Sequence, residues 1–151
     1  MTQDGSFGVI ISAASGNHDP RFFSFQLVVD GQTIGDSEPS IIWSAIDRLS
    51  RLPELDDPRL NNPTRDLHAA VDAVLNDEHC NQALFHGAES LDAWIVAAYT
   101  HDGSTIWLTQ QAGSDNSHVS PIRAATINNL DYHSIVNRVR AHHTQLSHPS
   151  S

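Results

Sequence analysis

The chain has 151 residues, with 18 acidic side chains against 8 basic ones, all Arg, and a formal net charge of −10. That length suits one domain with its own core, and 39 % hydrophobic with 17 % charged residues is a globular composition. The charge argues against nucleic acid or an anionic membrane as partner, since either needs a cationic face, and a single Cys80 excludes an intrachain disulfide and a Cys-based zinc cluster.

The N-terminus lacks a basic region before its short apolar run Val9-Ile10-Ile11, so no signal peptide is expected, and no stretch is long enough to span a bilayer. A lone Cys fits a reducing compartment. The expected location is cytoplasmic.

Residues 6–14 (SFGVIISAA) read as a strand, with Phe7, Val9 and Ile11 on one side. Residues 21–36 form a hairpin. Phe23, Phe25, Leu27 and Val29 alternate onto one face, and Asp30-Gly31 supplies the positive φ angles of a two-residue turn. A helix is predicted over about 39–52, capped by Asp36 or Ser37 and entered through Pro39. Its apolar stripe is Ile42, Ala45, Ile46 and Leu49. Pro53 and Pro58 bracket a loop, and Asn62-Pro63 opens a second helix over about 63–78 with Leu67, Val71, Val74 and Leu75 inward.

Residues 91–111 repeat the hairpin theme around Asp102-Gly103. The first strand of this pair is apolar on both faces, which predicts a central position. Residues 122–127 read as a last strand. Residues 131–146 read as a third helix, capped by Asp131 and burying Ile135, Val136, Val139 and His143. The expected fold is α+β: a mostly antiparallel sheet built from two hairpins plus flanking strands, with about three helices packed on one face. Residues 1–146 form one domain in this reading, and 147–151 a tail.

No catalytic signature stands out. There is no HExxH, nucleophile elbow or Gly-rich phosphate loop. Ten His residues invite a metal site, but His142 and His143 are adjacent on a helix and diverge by about 100°. Asp77-Glu78-His79-Cys80 is dense in donors but lacks a partner segment in the sequence. Cys80 follows a carboxylate pair that disfavours its thiolate. No catalytic residue, metal or cofactor is expected.

Charge is segmental. From Asp66 to Ile122 the chain has acidic residues and no Arg, whereas residues 123–151 hold three Arg against one Asp. The acids can be ordinary solubilising charge. They can also form an anionic surface complementary to a basic protein.

Phe23–Leu49 (FSFQLVVDGQTIGDSEPSIIWSAIDRL) resembles the small acidic immunity proteins of bacterial polymorphic-toxin and contact-dependent growth-inhibition systems. There, an aromatic-rich strand leads into a similar Gly-containing hairpin and an amphipathic helix. The resemblance covers about 27 of 151 residues. It implies a non-enzymatic protein that binds the C-terminal domain of a cognate toxin, often a nuclease, and blocks its active site. A monomeric chain in a one-to-one heterodimer is expected, without direct nucleic-acid or membrane contact.

Charge and expected exposure, rather than a transferable motif, nominate Asp30, Asp36, Glu38, Trp43, Glu54, Asp56, Asp57, Asp77 and Glu78 as toxin-binding residues. The alternative is an enzyme or small-ligand binder of an unrecognised family. It would gather two or more of His68, His79, His86 and His101 beside a carboxylate in a deep pocket.

Overall fold

A computed structural model describes residues 5–13, 22–36, 40–57, 60, 67–85, 91, 93–111 and 122–147. The elements run β1 (Phe7–Ala13), β2 (Phe22–Val29), β3 (Gln32–Ile34), β4 (Ser40–Ile41), α1 (Trp43–Leu49), α2 (Leu67–Asn76), a 3₁₀ turn (Cys80–Ala83), β5 (Trp94–His101), β6 (Ser104–Gln111), β7 (Arg123–Asn128) and α3 (Asn129–Ser147). Both hairpin turns take the geometry that Asp-Gly favours: φ is 53° at Asp30, 75° at Gly31, 50° at Asp102 and 79° at Gly103.

The α+β class is as expected, and the strands divide into two antiparallel sheets. One has the order β1-β2-β3, with β4 also pairing β2; the other is β5-β6-β7. The first sheet turns Phe7, Ile11, Phe23, Phe25, Leu27 and Val29 inward. They meet Val96, Ala98, Trp107, Ala125 and Ile127 of the second sheet, together with α1 and α3. Trp107 sits at the centre, with ring centroids 5.1 Å from both Phe7 and Phe85 and 6.4 Å from Tyr132.

The second sheet is buried on its other face too. Ala97, Tyr99, Ile106 and Leu108 pack against Ala70, Ala73 and Val74 of α2, with Leu55, Leu60, Cys80 and Ala83 beside them. The helices therefore lie on both sides of this sheet, which explains why β5 is apolar on both faces. Its position differs from the sequence-based expectation: β6 is the central strand and β5 pairs only β6 in the ladder. The outer edge of β5 is covered by irregular chain. Leu55 N–H donates to the Thr100 carbonyl at 3.1 Å, Thr100 N–H to that of Pro53 at 2.8 Å, and Phe85 N–H to that of Val96 at 2.8 Å.

Helix bounds also shift. Ser40 and Ile41 pair with Phe23 and Phe22 as a strand, so the first helix begins only at Trp43. On α2 Val71 and Val74 are buried as expected and Leu67 packs against the second core, but Ala70 and Ala73 are buried with them and Leu75 is exposed. The last helix begins at Asn129, where the Asn128 side-chain oxygen accepts from Leu130 N–H at 2.8 Å. Asn128 is thus the cap, and Asp131 lies in the first turn. The helix runs through Ser147, one residue into the expected tail. Ser37, Pro39, Asn62 and Pro63 lie outside the described residues.

Tyr132 ties α3 to α1: its buried hydroxyl donates to the Leu49 carbonyl at 2.6 Å. Burial holds that phenol in its neutral form, raising its pKa. Tyr132→Phe strands a carbonyl in the core and is expected to lower stability by about 1–3 kcal/mol, read as a fall in the chemical-denaturation midpoint at unchanged slope.

Candidate functional site

The acidic loop after α1 is fixed by alternate anchoring. Leu55 and Leu60 are buried in the second core while Glu54 and Asp56 stay exposed. The main-chain bonds of residues 53–55 to Thr100 hold this alternation against the edge of β5. Asp56 Oδ1 lies 3.9 Å from His101 Nδ1, at the end of the β5–β6 hairpin.

A second acidic segment closes on the first. After α2, the Asp77 carboxylate accepts from His79 N–H at 2.9 Å, and the Asp77 carbonyl accepts from Cys80 N–H at 3.0 Å and Asn81 N–H at 2.9 Å. This turn buries Cys80 and leaves Glu78 exposed. The Cys80 thiol donates to Asp57 Oδ2 at 3.5 Å. Donor atoms of Asp57, Asp77 and Cys80 all lie within 4.8 Å of one another. Asp57 is thus the partner that the Asp77–Cys80 segment lacks in sequence, and these three are the described groups whose donors could converge on a cation. Tyr99 lies behind them, donating its hydroxyl to the Leu60 carbonyl at 2.6 Å. Burial, then the charges of Cys80 and Asp57, push its pKa up, so it remains a neutral donor.

The nominated residues fall into separate places. Glu54, Asp56, Asp57, Asp77 and Glu78 belong to the two facing segments. Asp30 lies in the β2–β3 turn, exposed, with Oδ2 3.6 Å from Arg123 Nη1. Arg123 pairs with Thr109, whereas Asp56 neighbours the Ser104 end of the same strand. The step from Ser104 to Thr109 along β6 spans roughly 17 Å at the usual strand rise. Asp36 is exposed after β3. Glu38 lies outside the described residues, and Trp43 is described only as the backbone start of α1.

The histidines of the enzyme alternative do not converge in what is described. His79 is exposed and His101 faces Asp56; His86 and the His68 side chain lie outside the described residues. The described grooves are lined by other histidines. One, between β1 and α3, has Val9, Ile11, Ile135, Arg138, Val139 and His142 in its walls. The other has Ile46, Asp47, Arg140, His143 and Thr144. The helical stripe predicted that His143 is buried; no local signal in the sequence indicated that His142 meets β1.

No family model matches the sequence, and no curated protein does. The fold, in contrast, has a counterpart among solved structures. The fold is similar to the crystal structure of CdiI from Burkholderia dolosa AUO158, with a TM-score of 0.61 and 15 % identity, over 91 % of this chain and 95 % of that one. The likeness extends far beyond Phe23–Leu49 and includes both sheets.

His143 is 2 % exposed, edge-on to Phe23 with centroids 5.0 Å apart. Burial lowers its pKa below the ordinary 6.5. The unfolded chain then takes up a proton that the folded chain refuses. The histidine's share of stability is present above about pH 6.5 and lost as pH falls from there through its folded pKa. Thermal melts should show this loss, and His143→Phe should flatten that part of the pH dependence.

Proposed function

We propose that the chain is an immunity protein of a bacterial contact-dependent growth-inhibition or related polymorphic-toxin system. It acts in the cytoplasm by binding the C-terminal domain of a cognate toxin, one toxin domain per chain. The observation that carries this reading is the fold shared with CdiI over nearly the whole of both chains. The resemblance of Phe23–Leu49 supports it from the sequence. No helix among the described residues is long and apolar enough to cross a membrane.

The binding face in this reading is the acidic surface around Glu54, Asp56, Asp57, Asp77 and Glu78, which meets the basic active-site cleft of the toxin, a nuclease. A close pair of opposite charges near a surface attracts by about 4 kcal/mol at an effective dielectric of 20, before desolvation. Several pairs are therefore needed, with an apolar anchor to slow dissociation. Asp30 belongs to a separate part of the proposed contact set, which also includes Asp36, Glu38 and Trp43. The function needs no catalytic group: the toxin is inhibited by occupancy.

Co-expression with the C-terminal domain of a candidate cognate toxin, sought in the gene next to this one, tests the role. Growth should be restored, and continued killing with both proteins folded and present overturns the immunity reading. Reversing Glu54, Asp56 and Glu78 to Arg tests the face. Association with the toxin domain at low salt should slow by roughly ten- to a hundredfold and lose most of its salt dependence. An unchanged, salt-insensitive rate moves the contact elsewhere while leaving the rescue result standing.

A further inference from the structure

The two halves of α3 are held in different ways. Tyr132, Ile135 and Val136 bury the first half in the core, and the Tyr132 hydroxyl is bonded to α1. Beyond them a groove runs on either side of the helix. On the β1 side, His142 Nε2 donates to the Ile11 carbonyl at 3.1 Å, beside Val9, Ile135 and Val139. On the α1 side, Ile46, Asp47, Arg140, His143 and Thr144 surround a cavity of about 270 Å³. The two histidines diverge by about 100° on the helix, so each addresses one groove.

His143 stands between this cavity and the core, its ring edge-on to Phe23. That position suits a neutral imidazole, since an imidazolium packed against Phe23 forfeits its hydration. The cavity offers what the Phe23 position lacks: room for the ring, and the half-exposed carboxylate of Asp47. Asp47 meets Arg51 Nε at 3.4 Å and Arg140 Nη2 at 3.9 Å. Arg140 is itself held by Ser50 Oγ, 2.6 Å from its Nη2. Among the described residues packed around His143, Asp47 and Arg140 are the charged groups that line the cavity, and Arg51 acts through Asp47. Arg48 is turned to the Gln82 carbonyl, and Arg138 and His142 line the other groove. Strands β1, β2 and β6 contain no charged residue, and on β7 the charge of Arg123 is at the end remote from α3.

A helical residue has two accessible χ1 wells, about 180° and about −60°. The ring can therefore pass from one position to the other without unwinding the helix. The bond on the opposite groove keeps α3 in place meanwhile. A carbonyl only accepts, so His142 carries its proton on Nε2, and protonation at Nδ1 leaves that bond intact.

We propose that His143 is a two-position switch: neutral, its ring packs on Phe23 and closes the first core; protonated, it turns into the cavity and pairs with Asp47. Acid then uncovers Phe23 and Ile46, opening an apolar recess between α1 and α3 while the rest of the fold stays in place. Burial holds the His143 pKa below the ordinary 6.5, so the packed position prevails at neutral pH and the turn occurs on the acid side. The switch concerns this chain alone and does not depend on the immunity reading.

Nuclear magnetic resonance of the purified full chain, titrated from about pH 8 to about pH 4, tests this. At neutral pH the His143 ring should show contacts to the Phe23 ring. As His143 titrates, those contacts should vanish with the same midpoint and contacts to Asp47 should replace them, with the α3 amides still protected from hydrogen exchange. Asp47→Asn, an exposed change, should lower the proton affinity of His143 by roughly threefold or more. His143→Phe should keep the fold and abolish the transition in the Phe23 signals. A His143 ring that stays on Phe23 after taking up its proton overturns the proposal. So does protonation that coincides with loss of protection throughout α3, or a His143 midpoint indifferent to Asp47→Asn.

Discussion

A three-stranded sheet buried on both faces cannot be covered by one layer of helices. The β5-β6-β7 sheet meets the first sheet, α1 and α3 through Val96, Ala98 and Trp107, and meets α2 through Ala97, Tyr99 and Leu108. Adjacent residues on one strand thus belong to different cores, which follows from the period-two alternation of strand side chains. The positions of the two facing acidic segments derive from this wall. The 53–55 chain closes the open edge of β5, and the turn after α2 inserts Cys80 and Ala83 into the second core. Exposed carboxylates between those anchors have little freedom about where they stand.

This arrangement gives the surface an uneven charge without a dedicated binding domain. Leu55 and Cys80 are drawn inward by apolar burial, and Asp56, Asp57, Asp77 and Glu78 are carried along on either side. The thiol of Cys80 donates towards Asp57, offsetting part of the repulsion between Asp57 and Asp77. Preorganised charge of this kind raises encounter rates and spares the side-chain ordering that binding otherwise costs. The opposite side of the molecule has a different character: an uncharged strand edge beside a helix with two Arg and one Asp.

Much of the fold was legible because its signals are short-range. Asp30-Gly31 and Asp102-Gly103 specify their turns through the φ values of two residues, and the flanking alternation sets which side chains face inward. The stripe Ile135, Val136, Val139 and His143 marked the buried face of α3 correctly. The misplacements have one cause. Apolar residues on both faces of β5 predict a central strand, yet edge or centre depends on what chain lies beside it, and here residues 53–55 and 84–85 do. Leu75 fits the helical period of α2 but lies outside the face that the second sheet covers, where Ala70 and Ala73 permit close approach.

Composition and local pattern determined the α+β class, both hairpins, helices α1, α2 and α3, and the absence of a catalytic signature, since each depends on neighbours a few residues apart. Only the tertiary structure decided that there are two sheets, that Asp57 meets Asp77 and Cys80, that Asp30 stands well away from them, and that His142 reaches the edge of β1. Those meetings join segments separated by 20 to more than 100 residues along the chain. Hydrophobic closure over such distances is set by the packing of all the elements together, and no local window of sequence contains it.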